Sequence, residues 1–204
     1  MKRSLMGLDY SFKIYFKKED IWNALSGVVK LATHHQLPVK IKFPDRDLLI
    51  PLDTWSGSDE EILCDSTEIY FATVLNFYYD DAIQKYMDRL GYEDVFRGPP
   101  DEDEKKVAIG IIYLTIYQKI PDNPDSDLVL FDFGTPGTTM SILFSESSSI
   151  RKTFLQFAEK FDAVCGLLNR EESAEVFWIN HQSVDFEIGD PYMSPEEISR
   201  LHNS

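Results

Sequence analysis

Tyr10-Ser11-Phe12-Lys13-Ile14-Tyr15-Phe16-Lys17, followed at once by Lys18-Glu19-Asp20-Ile21-Trp22, changes its hydrophobic period in mid-course. Up to Lys17 the pattern repeats every second residue. Tyr10, Phe12, Ile14 and Phe16 share one face, while Ser11, Lys13, Tyr15 and Lys17 share the other. That is a strand with one apolar and one wet face. From Glu19 onward Ile21, Trp22, Leu25, Val28, Val29 and Ala32 keep helical spacing to about His34. Glu19 and Asp20 fall in the first helical turn, where the helix dipole favours acids. A strand feeding directly into a helix places the chain among mixed folds.

Working outward, Val39, Ile41 and Phe43 alternate, Pro44 to Asp47 turn, and Leu48, Ile50 and Leu52 alternate back as a hairpin. Pro51 directs the second arm towards a sheet edge. Thr54 to Asp65 reads as a loop. Glu68 to Tyr79 is apolar on both faces and reads as a central strand. Asp80 caps the next helix, which carries Ile83, Tyr86, Met87 and Leu90 and ends at Gly91. Val107 to Gln118 is a further two-faced strand. Leu128 to Phe133 and Thr138 to Phe144, joined through Gly134-Thr135-Pro136-Gly137, read as a second hairpin. Ser147 to Ser149 open a long helix with Ile150, Phe154, Phe157, Phe161, Val164 and Leu168 inward, which also places Cys165 on its buried side. Ala174 to Ile179 is a short last strand. A polar tail follows, with a capping box at Ser194-Pro195-Glu196-Glu197.

The expected order is therefore β-α-βββ-α-βββ-α-β plus a polar C-terminal tail. Hairpins outnumber crossovers, so the class is α/β of the α+β type: a mostly antiparallel, mixed sheet with about three packed helices. The 204 residues, 43% hydrophobic, suffice for one domain over 1–204, with residues 98–105 as the natural place for a two-lobed division.

Charge narrows the partner. Residues 1–42 hold eight bases (Lys2, Arg3, Lys13, Lys17, Lys18, Lys30, Lys40, Lys42) and three acids (Asp9, Glu19, Asp20), so a total of −15 leaves −20 for residues 43–204. Such a field disfavours nucleic acid and favours a basic protein. No apolar run approaches a membrane span, and Met1 to Gly7 lacks the apolar stretch of a signal peptide. Two cysteines, Cys64 and Cys165, build no disulfide framework, so the expected compartment is the cytoplasm.

Catalytic motifs are missing. Asp132-Phe133-Gly134 matches a protein-kinase triplet, but no glycine-rich phosphate loop or His-Arg-Asp loop precedes it, and Gly110 stands where the kinase lysine belongs. His34, His35, His181 and His202 lack metal-ligand spacing, so no metal and no cofactor is expected. Asp132 is the carboxylate worth inspecting, because it sits between Phe131 and Phe133: facing inward it needs a partner, whereas on a wet strand face, the expected case, it is ordinary.

The leading expectation is a soluble acidic module that binds a basic protein, in the manner of an immunity protein or stoichiometric inhibitor. Its contact residues would be Trp55, Asp59, Glu60, Glu61, Asp101, Glu102, Asp103 and Glu104. The alternative is an enzyme of unfamiliar type with a pocket at the strand ends formed by Tyr78, Asp80, Asp132 and His181. A third arrangement is a homo-oligomer, in which the basic N-terminal segment of one copy meets the acidic surface of another.

Overall fold

The computed structural model describes residues 7–32, 39–42, 47–50, 61–63, 67–90, 106–121 and 123–203. Its strands are β1 (Ser11–Lys17), β2 (Val39–Lys42), β3 (Asp47–Ile50), β4 (Glu61–Leu63), β5 (Glu68–Tyr78), β6 (Lys106–Tyr117), β7 (Leu128–Gly134), β8 (Cys165–Asn169), β9 (Ala174–Ile179) and β10 (Gln182–Ile188). The helices are α1 (Ile21–Leu31), α2 (Asp81–Leu90), α3 (Thr138–Glu146), α4 (Ser148–Lys160) and α5 (Pro195–His202). Seven strands form one sheet in the order β10-β9-β8-β1-β7-β6-β5, antiparallel throughout. β3-β2-β4 form a separate small sheet, in which β2 pairs antiparallel with β3 and parallel with β4. The protein is thus α+β, as its periodicities predict, with five α-helices among the described residues rather than about three.

The alternation of β1 aims Phe12, Ile14 and Phe16 at a core that they share with α1, α2, α3 and α4. Phe154 of α4 sits at its centre, stacked on Phe12 at 4.3 Å between centroids and tilted against Phe133 at 4.9 Å. The opposite sheet face carries a second, smaller core of Tyr15, Leu128, Leu130, Cys165, Leu167, Val176 and Ile188, closed by Ile198 of α5. One end of that face is therefore covered and the other is open.

Several expectations change. β1 is central, and Tyr15 on its supposedly wet face is buried because the C-terminal segment returns over it. β5 is the last strand of the sheet rather than a central one, and Tyr70 on its outer face stays 56% exposed. Thr138 to Phe144 is helical. Met140, Leu143 and Phe144 are spaced for a helix as well as for a strand, and packing beside α2 selects the helix. α4 stops at Lys160 because Asp162 turns left-handed (φ 57°), so Val164 and Leu168 lie beyond the helix, Leu168 within β8. Cys165 is buried as expected, but in a strand. Glu61–Leu63 is a strand within the predicted loop, and β10 emerges from the predicted polar tail. Its alternation of exposed Ser183, Asp185 and Glu187 with Val184 and Phe186 is the strand signal that the tail carries. Gly110 has its own reason to be glycine: it sits at φ 119° where β6 bulges against β5 between Val74 and Asn76.

Among the described residues no helix is long and apolar enough to cross a membrane. Residues 98–105 lie outside the described residues.

Candidate functional site

The open part of the second sheet face is built by register. Antiparallel pairing aligns Tyr70, Thr115, Asp132, Lys13, Leu167, Val176 and Phe186 in one row across the sheet. Because all point away from the α1–α4 core, the first four make a polar half-row and the last three an apolar one. The apolar half lies under the C-terminal segment. The polar half faces a trough.

The neighbouring row explains why there is room. It runs Ala72, Tyr113, Gly134, Ser11, Asn169 and Ala174. Gly134 and Ser11 leave the floor low between Tyr113 and Asn169, and a hollow of about 690 Å³ opens above them. A second hollow of about 650 Å³ continues along Tyr15, Tyr117, Leu130 and the start of α5. Lys13, Asp132 and Tyr192 line both. The Lys13 ammonium lies over the Tyr192 ring, 5.1 Å from its centroid, at the junction.

Residues 7–10 form one wall and are held firmly. The Leu8 N–H donates to Thr138 Oγ1 at 3.0 Å, and Asp9 N–H to Glu171 Oε1 at 2.7 Å. The fully buried Ser141 hydroxyl donates to the Leu8 carbonyl at 2.8 Å and accepts from Tyr10 N–H at 3.1 Å. A trough with walls fixed this way is preorganised.

Asp132 is its chemical centre. Oδ1 has no solvent-accessible surface and no hydrogen-bond partner. Burial pushes its carboxyl above the ordinary carboxylate range; Lys13 and a hydrogen bond from Ser11 act downward, and Asp9 adds to the rise. Lys13 attracts Asp132 but forms no ion pair with it among the described residues. Burial, then Asp132 and Glu68, likewise push the Tyr117 phenol up. The trough therefore carries a negative field around an acceptor that lacks a donor.

A raised carboxyl binds its proton more tightly in the folded than in the unfolded state. Its contribution to stability is then greatest below the ordinary carboxylate range and is lost as pH rises through the folded value. Asp132→Asn removes that dependence. Asparagine keeps an acceptor and loses the charge, so the variant should gain stability relative to wild type as pH rises from 5 to 8. Urea unfolding at both values checks this, and an equal difference at the two would contradict it.

The strand-end quartet is not brought together. Tyr78 and Asp80 lie where β5 meets α2, and Asp80 binds the first residues of α4. His181 stands in the β9–β10 turn with its Nδ1 2.6 Å from Asp162 Oδ1. Of the four, Asp132 alone lines the trough among the described residues. Trp55, Asp59, Glu60 and Asp101 to Glu104 lie outside the described residues, as does the Glu61 side chain. The sequence reading overlooked Lys13, Tyr113, Thr115 and Tyr192. Lys13 and Thr115 carried a signal, a polar residue on the second face of a strand, but only the register sets both beside Asp132. Comparison with protein-family models, with curated proteins and with solved structures returns no match.

Proposed function

We propose that this is a cytoplasmic binding module for a basic protein partner, with the trough as its docking face. The observation that carries the reading is the composition of that face. Asp9, Asp132, Glu171, Glu196 and Glu197 line it against Lys13 and Arg200, with Tyr15, Tyr113, Tyr117 and Tyr192 among them. Tyrosines supply contact area at small entropic cost, and the acid excess steers a cationic surface inward. The stretches of sequence with Trp55, Asp59, Glu60 and Glu61 and with Asp101 to Glu104 extend the same acidic character and would serve as secondary contacts. An immunity-type or inhibitor role fits this arrangement by physical analogy.

The test is capture of basic proteins on the immobilised chain at low salt, comparing wild type with Asp9→Lys/Glu171→Gln. Glutamine keeps the acceptor for Asp9 N–H and removes the charge. Retention should fall at least tenfold in the variant, and in wild type on raising the salt. Retention indifferent to both changes would overturn the proposal.

One observation favours the second reading, an enzyme of unfamiliar type: a desolvated carboxylate in a hollow is a common catalytic arrangement. The trough offers it no histidine or cysteine among the described residues, so Asp132 would have to act with Lys13 or a tyrosine.

A further inference from the structure

We propose that the Asp132 carboxylate is the receptor for one guanidinium group, so that the trough reads an arginine side chain of its partner. The inference rests on the binding reading above and adds the group recognised.

A buried acceptor without a donor is costly, and few survive in folded proteins without a role. Oδ1 is such an atom, on a carboxylate whose residue lines both hollows, and a turn of the side chain on binding would present it to them. What completes it must bring an N–H or O–H, and the surrounding acids select a cation. The chain's own nearest cation does not complete it, because the Lys13 ammonium rests on Tyr192.

Guanidinium fits better than ammonium on two counts. It is planar and weakly hydrated, so it stacks on aromatic rings and enters a half-closed trough at lower desolvation cost. Tyr113 lines the hollow and is itself backed by Tyr70, stacked at 5.8 Å with 28° between the rings. It also carries five donors in a fixed fork. Thr115, the cross-strand neighbour of Asp132, offers a second acceptor beside the first. The low floor at Gly134 and Ser11 leaves space for the flat group to enter over the sheet. An ammonium would use one donor here and would meet Lys13 with a stronger hydration shell to shed.

The probe is N-acetyl-arginine amide, titrated into the isotope-labelled full chain while the amide resonances of Ser11, Thr115, Asp132 and Asn169 are followed. N-acetyl-citrulline amide is the neutral isostere and N-acetyl-lysine amide the ammonium control. Saturable shifts are expected with arginine, at least tenfold weaker with citrulline, weaker with lysine, and at least tenfold weaker for arginine on Asp132→Asn. Thr115→Val should weaken arginine several-fold while leaving Asp132 in place. Absent shifts with arginine, equal shifts with citrulline or lysine, or unchanged binding by Asp132→Asn would each overturn the assignment. The two proposals fail separately. Loss of basic-protein capture in Asp9→Lys/Glu171→Gln with no response to arginine refutes the guanidinium receptor alone. Capture indifferent to that variant and to salt refutes the docking face itself.

Discussion

Phe154→Ala is expected to cost about 3–5 kcal/mol, a large share of the roughly 5–15 kcal/mol that holds a domain of this kind together. Phe154 is fully buried on α4 and meets four other rings: Phe12 at 4.3 Å, Phe133 at 4.9 Å, Phe77 at 6.0 Å and Phe144 at 6.1 Å. These come from β1, β7, β5 and α3, so one side chain joins three strands and two helices. Truncation removes the burial of the ring, leaves a cavity among stiff aromatics that collapse poorly, and forfeits tilted and stacked pairs worth about 0.5–1.5 kcal/mol each beyond area. Urea unfolding measures the loss, and Phe154→Leu is the control, expected to cost less than half as much. A loss under about 1 kcal/mol for the alanine variant would mean that the aromatic cluster does not hold the sheet to its helices. The consequence reaches the trough, because β1 and β7 carry Lys13 and Asp132 on their reverse faces.

The same two-sidedness explains what could be read from the chain. Period-two alternation identified β1 and assigned Phe12, Ile14 and Phe16 to one face without any knowledge of neighbours. Local capping chemistry placed α2 behind Asp80, α4 behind Ser147 and α5 behind Ser194, and all three caps are made. The errors arose where a segment satisfied two periods at once. Residues 138–144 fit both strand and helix, and residues 161–168 continue a helical pattern that Asp162 breaks by adopting a left-handed φ.

The trough was legible in its parts only. Asp132 stood out because a charge between two phenylalanines needs an explanation, and its position supplied one. Lys13 and Thr115 flank it through pairings between strands far apart in sequence, and no local rule fixes which strands become neighbours. Tyr192 comes from a tail that must fold back across the sheet. Site geometry here is a property of register, and register depends on the whole sheet.

Asp80→Ala should cost about 2–3 kcal/mol, because one carboxylate serves two helices. Oδ1 accepts from Ile83 N–H at 2.9 Å and caps α2. Oδ2 accepts from Ser149 N–H at 2.9 Å and from the Ser147 hydroxyl at 2.8 Å, where α4 begins. Losing one cap costs about 1 kcal/mol, and the second set of charge-assisted bonds adds a comparable amount. Asp80→Asn separates the halves: its oxygen retains the α2 cap, while its amide, a donor, cannot accept from Ser149 N–H, so about half the loss should remain. The sign of the pH dependence is opposite to that of Asp132. Burial alone would raise the Asp80 carboxyl, but the hydrogen bonds from Ile83, Ser149, Ser147 and Ser148 outweigh it and hold the group below the ordinary range. Its contribution is therefore present above the unfolded value and disappears as pH falls through the lowered folded one. Wild type should lose stability relative to Asp80→Ala below about pH 4, the ordinary range of an aspartate. Chemical unfolding of both proteins between pH 3 and pH 7 decides it, and a difference that stays constant down to pH 3 would show that the double cap is not made.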